Sequence, residues 1–188
     1  MQQFRFDLTD IRIRRCRFED IGGVIHVNRK TLPENYSLNL FLSMFRIFGD
    51  IFFVAIDNRI GRVVGYCMNK IEERVRSFFG DEITTKGHVF SLGVLKEYRR
   101  RGIASALLAI SMDRMFLKGC TEVFLEVRVS NIPAQRLYRK FNYRVVARVP
   151  SYYADGEDAY VMAVKRAEAE NIVDQIMGEL ETLGVFVD

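Results

Sequence analysis

The stretch that most constrains this chain runs from His88 to Ser105. Its first part, His88-Val89-Phe90-Ser91-Leu92-Gly93-Val94-Leu95, is an apolar run with β-branched and aromatic members, the pattern of a buried strand. After Lys96-Glu97-Tyr98 come Arg99, Arg100, Arg101 and Gly102. Beyond them Ile103, Leu107 and Ile110, with Leu108, Met112 and Met115 on a second face, predict a helix over 102–118. A strand that turns directly into a helix leaves unpaired backbone N–H groups and a partial positive charge at the helix start. Gly102 permits close approach to the backbone, small Ala104 and Ser105 keep the first turn open, and the arginines stay protonated. Such a junction suits a phosphate or diphosphate. It has neither the Gly-Lys-Ser/Thr ending of a nucleotide P-loop nor the three-glycine dinucleotide fingerprint.

The rest of the chain supplies a frame for that junction. Ile11-Arg12-Ile13-Arg14-Arg15-Cys16 alternates as a half-buried strand, and 18–30 reads as a helix stopped by Pro33. A short loop, Leu32-Pro33-Glu34-Asn35-Tyr36, leads to a helical pattern over 41–48. Strands at 51–56 and 63–68 form a hairpin, and the charged, Gly-containing segment 72–87 reads as a loop. Strand 123–129 carries one carboxylate, Glu126, in apolar company. Ser130 or Asn131 caps the next helix, with Pro133 in its first turn and Tyr138 seven residues on from Asn131, on the same face. Strands at 143–149 and 158–165 flank the tyrosine-rich loop 150–157. The order βααββ-loop-βαβαββ makes an α/β fold, a mixed sheet flanked by helices. A last amphipathic segment, 167–184, places Ile172, Ile176, Leu180 and Leu183 at helical spacing, open to packing on its own domain or on a second subunit.

At 188 residues the chain is expected to be one domain. No apolar run reaches bilayer length and residues 1–10 lack a signal-peptide core, so no membrane association and a cytoplasmic location are expected. Cys16, Cys67 and Cys120 are far apart without Cys-x-x-Cys spacing, which points to buried reduced thiols rather than disulfides or zinc. The net charge of +4 lies in no long basic tract with interleaved aromatics, which argues against a nucleic-acid partner; a basic pocket for an anionic cofactor accounts for it more locally. His26 reads as a packing or surface residue.

Arg-x-x-Gly-x-Ala after a strand and opening a helix resembles the acetyl-CoA signature of the GCN5-related N-acetyltransferases (GNAT). Two loops sharpen the resemblance: Leu32-Pro33-Glu34-Asn35-Tyr36, and Tyr152-Tyr153-Ala154-Asp155-Gly156-Glu157-Asp158-Ala159-Tyr160. With Leu125-Glu126-Val127-Arg128-Val129-Ser130-Asn131 and Leu137-Tyr138, the chain is similar to the protein N-terminal acetyltransferases: archaeal enzymes, the catalytic subunit of NatA and, more distantly, RimI. The resemblance covers 11–166, leaving 1–10 as an N-terminal extension and 167–188 as a C-terminal tail. Gly93 stands where the family often has alanine.

The resemblance implies a GNAT fold with central strands splayed at the acetyl-CoA site, and transfer of acetyl from acetyl-CoA to the free α-amino group of protein N-termini. Leu92, Gly93 and Val94 would offer backbone to the acetyl and pantetheine portion. Arg99, Arg100, Arg101, Gly102, Ile103, Ala104 and Ser105 would hold the diphosphate. Asn131 would contact the pantetheine arm, Tyr138 would protonate the leaving thiolate, and Arg139 and Lys140 would border the cofactor. On the amine side Glu34 and His88 are the candidate bases. Leu32, Pro33, Glu34, Tyr36, Glu126, Tyr152 and Tyr153 would grip the substrate's chain end. His88 and Glu126 make a pair that could catch a stray divalent ion, too few ligands for a structural metal site. Alternatives on the same motifs are a lysine or small-amine acetyltransferase and a non-catalytic acyl-CoA-binding module. An auxiliary subunit and ribosome association are further partners implied by the resemblance.

Overall fold

The computed structural model describes residues 4–186. Among these residues, seven strands form one sheet in the order β1-β2-β3-β4-β5-β7-β6. The strands are β1 (Ile11–Arg15), β2 (Phe53–Asp57), β3 (Arg62–Arg76), β4 (Ile83–Val94), β5 (Glu122–Arg128), β6 (Arg144–Val149) and β7 (Ala159–Lys165). The helices are α1 (Ile21–Thr31), α2 (Leu38–Phe48), α3 (Ile103–Leu117), α4 (Ile132–Arg139) and α5 (Arg166–Thr182). The mixed α/β order is the one expected.

Neighbouring strands are antiparallel except β4 and β5. That parallel ladder is short: Lys86↔Glu122, Gly87↔Val123 and His88↔Phe124. Beyond it β4 stays on β3 and β5 stays on β7, so the two central strands part. The β3–β4 register shifts between Met68 and Asn69, with Met68 opposite Ser91 and Asn69 opposite Val89, so Phe90 is an extra residue in β4.

Segment 72–87 is not the loop its charges suggested. Both strands of the β3–β4 hairpin run into it, with Ile71↔Gly87, Glu72↔Lys86, Val75↔Thr84 and Arg76↔Ile83 paired. A second register shift, with Arg74 at φ 55°, breaks the period-2 pattern that would have marked a strand. The tip then folds over the sheet. The buried Glu122 carboxylate accepts from the Ser77 hydroxyl and from the Phe78 N–H (3.0 Å), and Phe78 packs edge-on to Phe124 (ring centroids 5.2 Å).

Two helix starts also differ from expectation. Residues 18–20 are a single 3-10 turn, because Asp20 accepts from the Arg17 N–H (2.7 Å) and from Arg14 (2.6 Å) and α1 begins after it. Helix α2 starts at Leu38, where Ser37 Oγ accepts from the Leu40 N–H (3.2 Å). Helix α3 is apolar nearly all round because it lies between the sheet and α5. In α5 the buried stripe is Ala169, Val173, Ile176 and Leu180, while Leu183 is exposed. Phe4 and Leu8, ahead of β1, join the same core as α5. All three cysteines are buried and free.

Candidate active site

The end of β4 and the start of α3 are joined as a rigid corner. Leu95 N–H bonds to Val64 O (2.9 Å), and one 3-10 turn, Lys96–Tyr98, redirects the chain. Arg100 (φ 66°) and Gly102 (φ 89°) both take left-handed backbone, which lets α3 begin abruptly. The first N–H of α3 to reach a helical acceptor is that of Ala106, on Gly102 O (2.9 Å). The amides of Ile103, Ala104 and Ser105 are therefore open at the positive end of a fifteen-residue helix.

The three arginines do different work. Arg99 Nε donates to Val94 O (3.0 Å) and ties the corner to β4. Arg101 Nε donates to Asp7 O (3.0 Å). Arg100 is exposed and, among the described residues, forms no ion pair, so its charge is available to an incoming anion, as is that of Arg99, whose bond is to a neutral carbonyl. The close approach at Gly102 is made by the chain itself: a Cβ there would stand 2.7 Å from Arg5 O and 2.6 Å from Phe6 Cδ1.

Half-buried Leu92, with Gly93 and Val94, lines the stretch of β4 that has parted from β5. Gly93 is glycine for packing: a Cβ would stand 2.7 Å from Thr31 Oγ1 and 3.0 Å from Tyr66 Cε1. Across the gap, Asn131 caps α4 by accepting from the Ala134 N–H (3.2 Å). Gln135, which sequence reasoning passed over, donates to Val129 O (2.9 Å) and Arg128 O (3.2 Å), fixing how α4 leaves β5. Tyr138 faces inward and is buried. Burial, and then nearby Cys67, push its hydroxyl pKa well above the ordinary tyrosine value, so it holds its proton at neutral pH. Arg139 and Lys140 are exposed at the end of α4, with Lys140 Nζ 5.5 Å from the Phe4 ring.

At the other end of the gap stands a histidine between carboxylates. His88 Nε2 lies 2.7 Å from Glu126 Oε2, a hydrogen bond, and Nδ1 lies 3.4 Å from Glu72 Oε1, within ion-pair reach. His88 is opposite Phe124 in the ladder, so Glu126 reaches it from two residues further along the same face. The ring is sandwiched, stacked on Phe124 (4.1 Å) and edge-on to Phe90 (5.8 Å). No set of three or more His, Cys, Asp or Glu side chains among the described residues is arranged to hold a metal ion. His26 is exposed on α1.

The loop after α1 and the loop before β7 meet at Arg128, the last residue of β5 and a residue to which sequence reasoning assigned no role. Its guanidinium binds Glu34 (2.5 and 3.0 Å), Asp155 (2.8 Å) and Glu157 (2.7 Å), and lies 4.0 Å from the Tyr153 ring centroid. Hydrogen bonds from Ser130 and then Arg128 hold the Glu157 carboxyl at about 2. Tyr36 packs on Phe90 (5.4 Å) and Phe41 (6.0 Å), and Tyr152 on Tyr153 (5.0 Å). Burial first, then the charges of Glu34, Tyr152 and Glu126, push Tyr36 up to about 12. Tyr152 and Tyr153 are raised as well, by burial and by Glu34 and Glu126, so the expected substrate-side residues share one electrostatic neighbourhood. No local pattern pointed to Arg128: its partners Glu34, Asp155 and Glu157 lie 27 to 94 residues away in the chain. Leu32 and Pro33 sit half-buried and exposed in the same loop as Glu34.

A splayed pair of central strands, with an anion corner at one end and an acid–base cluster at the other, is a layout for moving a group from a phosphate-bearing carrier. Residues 23–143 match the acetyltransferase (GNAT) family. The chain belongs to that family. It is 47% identical over 159 residues to an N-alpha-acetyltransferase of Saccharolobus solfataricus, covering 82% of this chain and 92% of the relative. It is 39% identical to the N-terminal acetyltransferase A complex catalytic subunit ard1 of Schizosaccharomyces pombe, covering 80% of this chain and 82% of that one. Among solved structures, the NatB acetyltransferase complex bound to CoA and MES superposes with a TM-score of 0.70 at 27% identity, covering 81% of this chain and 97% of that chain. The GNAT fold expected from the motifs is thus the fold observed.

Proposed function

We propose that this GNAT protein transfers the acetyl group of acetyl-CoA to the free α-amino group of protein N-termini. The observation that carries this reading is the gap between β4 and β5, with open amides and Arg100 at one end and the Glu34–Arg128 tyrosine mouth at the other.

The residues fit the cofactor. The amides of 103–105 and the Arg100 guanidinium match a diphosphate, and the parted stretch of β4 leaves backbone groups for a pantetheine amide. Bound acetyl-CoA supplies an acyl group on a thioester, open to attack by an amine. The chain supplies the rest. Backbone N–H groups of β4 near the bulge at Phe90 stabilise charge developing on the carbonyl oxygen. Tyr138, protonated and buried beside the gap, holds the proton that the departing sulfur needs.

On the amine side, Glu34 and His88 share base duty through an ordered water, with Glu126 orienting the imidazole. At pH 7 a neutral α-amine, reference pKa near 7.8, costs about 1.1 kcal/mol to form, whereas a lysine amine costs about 4.6 kcal/mol. A base already paired with Arg128, and a histidine already paired with Glu126, suit the smaller demand. Tyr36, Tyr152 and Tyr153 wall the mouth, which fits a chain end better than a mid-chain side chain. No helix among the described residues is long and apolar enough to cross a membrane. We place the reaction in the cytoplasm, where new N-termini emerge from ribosomes. The fission-yeast relative is named as a subunit of a complex, which makes an auxiliary subunit a partner to seek for this chain too.

The test uses paired peptides of equal lysine content with free or blocked α-amino groups, read by thiol release and mass spectrometry. Acetylation confined to the free amine is expected. Equal lysine acetylation of both peptides would overturn the α-amine assignment, and no thiol release from any amine would overturn catalysis. Replacing Glu34 and His88 together with full kcat and an unchanged pH profile would overturn the shared-base assignment.

A further inference from the structure

Residues 4–8 lie outside the family match, yet they are built into the anion corner. Asp7 N–H donates to Arg101 O (2.9 Å) while Arg101 Nε donates back to Asp7 O (3.0 Å), and the Asp7 carboxylate lies 3.4 Å from the same Nε. Arg5 O and Phe6 fill the space where a Gly102 side chain would be. Phe4 is buried against Phe6 (6.3 Å) and Phe141 (5.2 Å), beneath the Lys140 ammonium. Leu8 enters the main core and anchors the far end. One short segment thus contacts the residue before the open amides and the cation at the end of α4.

We propose that residues 4–8 are a strap belonging to the cofactor site, holding Arg101 and Gly102 in the shape that presents amides 103–105 and walling the nucleotide end with Phe4 and Lys140. The inference rests on reading 99–105 as the diphosphate cradle. Two independent features support it. The left-handed pair Arg100 and Gly102 is stabilised from outside by the Asp7 N–H bond to Arg101 O and the return bond from Arg101 Nε to Asp7 O, so the cradle is formed before the ligand arrives. The Lys140 ammonium also lies 5.5 Å from the Phe4 ring at the exit from α4, where its exposed charge is open to a phosphate. Asp7 and Phe4 act through other groups and are positioning residues.

Three variants test this: Asp7→Pro, which deletes the N–H bound to Arg101 O; Asp7→Ala, which keeps it; and Phe4→Ala. CoA affinity is measured by calorimetry, and KM for acetyl-CoA, KM for peptide and kcat by thiol release. Asp7→Pro and Phe4→Ala are expected to raise the Kd for CoA and the KM for acetyl-CoA about tenfold, or ~1.4 kcal/mol. Their kcat at saturation and their peptide KM stay near wild type, and Asp7→Ala, which loses only the carboxylate contact to Arg101, weakens CoA binding less than Asp7→Pro does. Should Asp7→Pro fail to fold, Phe4→Ala decides. Unchanged CoA affinity in folded Asp7→Pro and Phe4→Ala, whatever their thermal midpoints, overturns the strap. So does a loss spread equally over kcat and both KM values. CoA binding that survives Arg100→Ala undiminished in an otherwise wild-type chain overturns the cradle reading itself.

Discussion

Arg128 meets three carboxylates from two loops, and without it Glu34, Asp155 and Glu157 would face one another with no counter-charge. Its side chain is only 14% exposed, so the pairing is screened less than a surface pair would be. Arg128→Gln is expected to lower peptide kcat/KM by about 10- to 100-fold with little change in the KM for acetyl-CoA. Arg128→Lys should recover little, because one ammonium cannot reproduce a fork shared among three carboxylates. Steady-state kinetics with each substrate varied in turn checks both. The same cluster sets an acid limit. Glu157 is lowered from 4.5 to about 2 in the folded chain, so its contribution is present above pH 4.5 and is lost as pH falls towards 2. Chemical denaturation between pH 5 and 2 should show stability falling with pH, and Glu157→Gln should flatten that part of the curve. His88 and Glu126 were expected to approach each other from neighbouring strands, and they do. Arg128 was missed because strand periodicity says which face a residue takes, not which distant loops come to it.

At the scale of elements, the strands and helices carrying the site follow from apolar periodicity, and the anion corner from one motif. The β3–β4 hairpin does not. Its strands carry charges where one face is solvated, and two register shifts interrupt the alternation. What holds its tip is remote in sequence: Glu122, bound by Ser77 and Phe78, and Phe124, stacked in turn on His88. Gly93 shows how closely α1 and β4 fit. Gly93→Ala would press Thr31 and Tyr66 apart, an overpacking expected to cost about 1–3 kcal/mol. Denaturant titration should register that loss, and a raised KM for acetyl-CoA should accompany it, since the same β4 segment lines the gap. Unchanged stability would mean that α1 yields to the methyl group.

Across the whole molecule, α5 covers the outer side of α3 and therefore backs the helix whose start forms the anion corner. Leu180 is fully buried there, and Leu180→Ala is expected to cost about 2–5 kcal/mol, seen as a lower denaturation midpoint with wild-type KM values in the fraction that stays folded. This answers one question the amphipathic stripe of 167–184 left open: its buried face packs on its own chain. The family, the order of strands and helices and the strand-to-helix corner follow from the sequence, because each rests on local periodicity or on a motif contiguous in the chain. The parting of β4 from β5, the division of labour among Arg99, Arg100 and Arg101, the Arg128 junction and the seat of residues 4–8 follow only from the tertiary structure. Each joins groups far apart in sequence, and whether they meet depends on sheet register and helix packing, which no local pattern records.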